Sequence, residues 1–113
     1  MNRDDNTPLP IEIRQAAQDE IRETFRWYED QEEGLGFEFM RALEDCLTYI
    51  RNNPNASPVV RQSSTVGRQT RRVLMQRFPY LLFYVVRDDF IFVIACLHTS
   101  RNPRSLRDRL NGF

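Results

Sequence analysis

The sequence predicts an α+β fold: a short N-terminal strand and an αα-hairpin packed on a twisted antiparallel sheet, with a short helix at the C-terminal end. Two observations carry this. Apolar residues recur at helical spacing through the first half of the chain, and after a long polar loop the pattern changes to runs of β-branched and aromatic residues. With 113 residues the chain is expected to form a single domain, its core over about 11–109 and residues 1–8 flexible.

Each element has its own local reason. In Pro8-Leu9-Pro10-Ile11-Glu12-Ile13 the residue before each proline is pushed out of helical space, and Leu9, Ile11 and Ile13 alternate, which predicts a short edge strand. From Gln15 to Gln31 the residues Ala17, Ile21, Phe25 and Tyr28 recur at spacings of three and four, with polar residues between them, as in an amphipathic helix. Gly34-Leu35-Gly36 interrupts. Phe39, Met40, Leu43, Cys46, Leu47 and Ile50 then keep helical spacing until Asn52-Asn53-Pro54 stops it. So short a joint predicts antiparallel packing of the two helices. Residues 54–70, rich in Pro, Asn, Ser and Gly, read as a surface loop. Arg71 to Gln76, Tyr80 to Arg87 and Phe90 to His98 read as three antiparallel strands, with Asp88-Asp89 as the tight reversal between the last two. Residues 90–97 are apolar on both parities, which puts that strand in the middle of the sheet. Pro103 begins a tail, Arg104 to Leu110, expected to form a short basic helix.

Composition narrows the function classes. At 41% hydrophobic and 28% charged, the chain is too apolar for a disordered segment and too charged for a membrane one. No run approaches the roughly 18 apolar residues of a spanning helix, and the acidic start lacks a signal-peptide pattern, so a cytoplasmic location is expected. Cys46 and Cys96 are far apart in apolar surroundings and read as buried thiols in a reducing compartment. One histidine, and no cysteine or histidine cluster, argues against a metal site; Gly34-Leu35-Gly36 lies between two helices, not after a strand, which argues against a nucleotide cofactor. The acids Glu29, Asp30, Glu32 and Glu33 read as a solvated helix end.

The zero net charge conceals a division. Residues 1–56 hold six arginines against thirteen acids, a net −7, and residues 57–113 hold ten arginines against three acids, a net +7. No lysine is present, so the basic half offers planar guanidinium forks suited to carboxylate or phosphate. Its candidate functional residues are Arg71, Arg72, Arg77, Tyr80, Tyr84, His98, Arg101, Arg104, Arg107 and Arg109. Metal-free RNA cleavage would need a proton acceptor, a proton donor and cations on the phosphate. Arginine supplies only the cations, which leaves His98 and a tyrosine as proton carriers. The same residues also fit structural roles: Tyr80 and Tyr84 share a parity with Leu82 and Val86, as core aromatics would, and Arg71-Arg72 can guard a sheet edge.

In order and spacing, Ala17 to Ile21, Trp27-Tyr28-Glu29-Asp30-Gln31, Gly34-Leu35-Gly36-Phe37, Ile50 to Pro54, Arg71-Arg72, Arg77-Phe78-Pro79-Tyr80 with Tyr84, and His98 to Pro103 followed by Arg109 together resemble the RelE/ParE toxin superfamily of bacterial type II toxin–antitoxin systems. The resemblance implies a small cytoplasmic toxin, held inactive in a hetero-oligomer by a cognate antitoxin that winds an acidic segment around it. RelE-like members cleave mRNA in the ribosomal A site, whereas ParE-like members poison DNA gyrase and serve growth inhibition and plasmid stabilisation. Trp27 to Gln31, the Gly34 to Gly36 joint and Arg77 to Tyr80 look more ParE-like, and the absence of lysine departs from the nuclease branch. The expectation is therefore a gyrase poison, with a metal-independent nuclease or a non-toxic antitoxin-binding module as alternatives. A nuclease would use His98, Tyr84 and Arg77; a poison or binding module would use the surface of Arg71, Arg72, Tyr80, Arg101, Arg104, Arg107 and Arg109.

Overall fold

The computed structural model describes residues 7–60, 69–101 and Arg109. The chain begins with strand β1 (Ile11–Ile13), followed by helices α1 (Gln15–Gln31) and α2 (Leu35–Asn52) and then by strands β2 (Arg71–Leu74), β3 (Tyr80–Arg87) and β4 (Phe90–His98). The helices pack on one face of a four-stranded sheet of order β1-β4-β3-β2. The first six of the residues expected to be flexible lie outside the described residues, as does the expected C-terminal helix except for Arg109, whose backbone is helical.

Of the stripes expected from periodicity, α1 buries Ala17 and Ile21, together with Thr24, and leaves Phe25 and Tyr28 half-buried, while α2 buries Phe39, Leu43, Cys46 and Ile50 and leaves Met40 and Leu47 half-buried. Against them the sheet presents Leu82, Tyr84, Ile91, Val93 and Cys96. β4 is central and buried on both faces, and Phe83, Ile94, Ala95 and Leu97 form a second cluster with Val60 and Leu81. Phe83 lies opposite Ala95 while Tyr84 lies opposite Val93, so Ile94 is the extra residue of a β-bulge. Asp88 and Asp89 both sit at positive φ, 54° and 59°, as the tight β3–β4 turn requires.

Two details differ from expectation. The sheet is mixed, because β1 pairs with β4 in parallel, Ile11 opposite Ile91 and Ile13 opposite Val93. Three residues carry no pattern that encodes strand direction, and the long connection from β1 to β4 permits either. Gly36 lies inside the first turn of α2, not in the joint, and a Cβ there would come within 2.6 Å of the Phe25 carbonyl oxygen. The glycine lets the two helices touch.

Candidate functional site

β2 ends the sheet, and its hydrogen bonding alternates. Met75 donates its N–H to Tyr80 at 2.9 Å, so odd positions face β3 and even positions face out. The outward Arg72 N–H reaches the Pro58 carbonyl at 3.0 Å, beside a bridge between Val59 and Arg71. Beyond that point the backbone of Leu74 has no partner among the described residues, and its side chain is 58% exposed. This open edge borders a groove of about 1320 Å³, walled on the other side by Glu38, Arg41, Asp45 and Tyr49 of α2. Ala42, Cys46, Val73 and Leu81 supply its apolar lining, and Arg72 and Arg77 its charge on the strand side. Arg77 holds a left-handed backbone, φ 74°, which turns its guanidinium across the end of the groove into an ion pair with Glu38.

The residues expected to act together are spread apart. Tyr84 is fully buried, its hydroxyl donates to the Pro54 carbonyl at 2.9 Å, and burial pushes its ionisation up against the smaller pulls of Ser57 and Arg71. His98 stands opposite Tyr80, four positions away along β3, which is about 13 Å at strand spacing. The Nδ1 of His98 accepts the Ser100 N–H at 3.1 Å and meets the Ser100 hydroxyl at 2.8 Å, so the neutral ring carries its proton on Nε2. Tyr80 sits in an aromatic cluster with Tyr28, Phe39 and His98, at centroid distances of 6.3, 5.6 and 5.2 Å.

The arginines divide as well. Arg71 donates to the Ser57 carbonyl at 2.7 Å and pins the loop that Tyr84 also holds. Arg72, Arg77 and Arg101 are exposed. Arg104 and Arg107 lie outside the described residues. Arg109, expected on the binding surface, instead makes a two-pronged pair with Glu20 on α1, at 2.7 and 3.0 Å, and donates to the Ile94 carbonyl at 3.0 Å. The same carboxylate accepts the Cys96 N–H at 3.0 Å. β1 reaches only as far as Val93, so the ion pair satisfies the edge of β4 that β1 leaves bare. Glu29, read as part of a solvated helix end, is also committed: its carboxylate accepts the N–H groups of Gly34 and Gly36 at 3.2 and 2.7 Å. No local spacing signalled Glu20, Glu29 or Glu38, because each partner belongs to another element.

Residues 11–103, most of the chain, match the sequence pattern of the ParE toxin of type II toxin–antitoxin systems, parDE. The chain belongs to the ParE toxin family. No curated protein matches it. For a ParE-family toxin an antitoxin is the implied partner. No described helix of this ParE-family chain is long and apolar enough to cross a membrane.

Proposed function

We propose that this ParE-family toxin inhibits growth in the cytoplasm by poisoning DNA gyrase, and that its cognate antitoxin neutralises it by docking an acidic segment on the edge of β2. The observation that favours a poison over an mRNA nuclease built on Tyr84 and His98 is the separation of those two groups. A buried Tyr84 hydroxyl committed to Pro54, with His98 about 13 Å away along β3, cannot share one scissile bond as acid and base. A poison needs no such pair, only a surface that traps a protein–DNA intermediate, and exposed Arg101 at the end of β4 is the described arginine we assign to it. The docking part rests on the outward-facing Leu74 backbone, which has no partner among the described residues and offers an added strand its hydrogen bonds. The +7 balance of residues 57–113 would steer an acidic partner toward it.

Purified toxin is expected to inhibit gyrase supercoiling at concentrations that leave mRNA on translating ribosomes intact. Arg101→Ala should weaken that inhibition, while His98→Gln keeps it. Codon-positioned mRNA cleavage with gyrase untouched, abolished in a folded His98→Gln variant, would reverse the reading.

A further inference from the structure

The Arg77–Glu38 pair closes one end of the groove from within. Glu38 stands in the first turn of α2, on one wall, and Arg77 at the end of the strand-side wall, with its guanidinium 5.3 Å from the Phe78 ring centroid. Both side chains face water, at 61% exposure for Arg77 and 38% for Glu38. Arg41 and Arg72, which also line the groove, have no carboxylate partner among the described residues. The groove thus holds three guanidinium groups, and the protein itself has answered one of them.

Resting on the docking surface proposed above, we infer that Glu38 is an intrachain stand-in for a carboxylate of the antitoxin, and that docking replaces Glu38 on Arg77 with a partner acid. An extended chain laid along Leu74 and continued past Gln76 runs directly to Arg77. A carboxylate arriving there is shielded from water by the docked chain, which strengthens its bond to the fork, whereas the Glu38 pair is screened. Release costs Glu38 little, since its position near the N-terminus of α2 favours a negative charge with or without Arg77. Arg77 needs no backbone change to turn from one acid to the other, because its left-handed φ already presents the side chain to the groove. The exchange makes Glu38 a brake on affinity and a filter: a neutral segment gains nothing at Arg77, and an acidic one must outcompete the resident acid.

The test uses two fluorescein-labelled synthetic decapeptides, one alternating valine and glutamate and one alternating valine and glutamine, titrated into the intact protein by anisotropy. The glutamate peptide should bind Glu38→Gln about two- to five-fold more tightly than the unaltered protein, the factor an exposed ion pair supplies, and the glutamine peptide should bind both alike. In Arg77→Gln the glutamate peptide should lose affinity, and adding Glu38→Gln should restore none of it. Leu74→Pro removes an outward N–H that β3 does not use, and Arg72→Glu reverses a groove charge without touching the backbone; both should weaken binding. If they do so but Glu38→Gln binds the glutamate peptide no better, the exchange is wrong and the docking surface stands. If neither change weakens binding, or neither peptide binds, the docking surface falls and the exchange falls with it.

Discussion

At the scale of single residues, burial decides what each side chain can do. Cys46 and Cys96 are buried, and the loss of water around their thiols holds both up at about 12. Neither thiolate is available near neutrality, so both should resist alkylation by iodoacetamide at pH 8 until the protein unfolds. The same shift links stability to pH. Below about pH 9 both thiols are protonated in the folded and unfolded chain; between 9 and 12 only the unfolded chain releases their protons, which favours unfolding. Stability should be flat with respect to these groups up to pH 9 and fall above it, with half-buried Tyr28 and buried Tyr84, also raised, adding to the fall. Urea titrations at pH 7, 9 and 10.5 would show this, and Cys96→Ala should make the alkaline decline shallower. An unchanged slope in that variant would remove the thiol from the account. The sequence made the thiols legible through their apolar neighbours, and it placed Tyr84 on the parity of Leu82 and Val86. It did not reveal that the hydroxyl meets Pro54, thirty positions away.

At the scale of elements, the αα-hairpin depends on how closely its two helices approach. The residue capping α2 is Gly34, which has no side chain to satisfy the N–H groups at the helix start, and Glu29 of α1 reaches across to accept those of Gly34 and Gly36. That reach requires contact at Gly36. Inside an ordinary helix, glycine to alanine stabilises by about 0.5–1 kcal/mol. Here the new methyl would stand 2.6 Å from the Phe25 carbonyl oxygen and 2.7 Å from the Glu29 side chain. Gly36→Ala should therefore destabilise by about 1–3 kcal/mol through overpacking, measured as a lower urea midpoint. A midpoint that rose instead would mean the helices part freely. Helix bounds, the β3–β4 reversal and the central place of β4 were readable because each is written in local period or turn chemistry. The direction of β1, the end of β2 at Leu74 and the helical place of Gly36 were not, because each depends on what lies beside the segment in space.

For the whole molecule, the division between an acidic first half and a basic second half is partly answered inside the fold. Two of the ion pairs between described residues, Arg14–Glu12 and Arg22–Asp19, are local and exposed, whereas Arg77–Glu38 and Arg109–Glu20 join the basic half to the helices. These two differ in kind. The first is exposed, as the proposed exchange requires; the second is largely buried, at 23% and 14% exposure, and also satisfies Ile94 and Cys96 on the bare edge of β4. Charge counting along the sequence assigned Arg109 to the binding surface because it cannot separate a guanidinium aimed at a partner from one aimed at the protein's own backbone. If Arg109 is an internal clasp, Arg109→Ala should leave the Glu20 carboxylate buried without its cation and cost about 3 kcal/mol, the penalty of breaking one side of a buried pair. Amide exchange at Cys96 should quicken in the same variant, since the acceptor of its N–H is no longer held in place. Replacing both partners, Glu20→Leu with Arg109→Leu, should cost less than twice the single change, because no lone charge remains. An Arg109→Ala protein that unfolded at the unaltered urea concentration, with Cys96 exchange unchanged, would return Arg109 to the surface set.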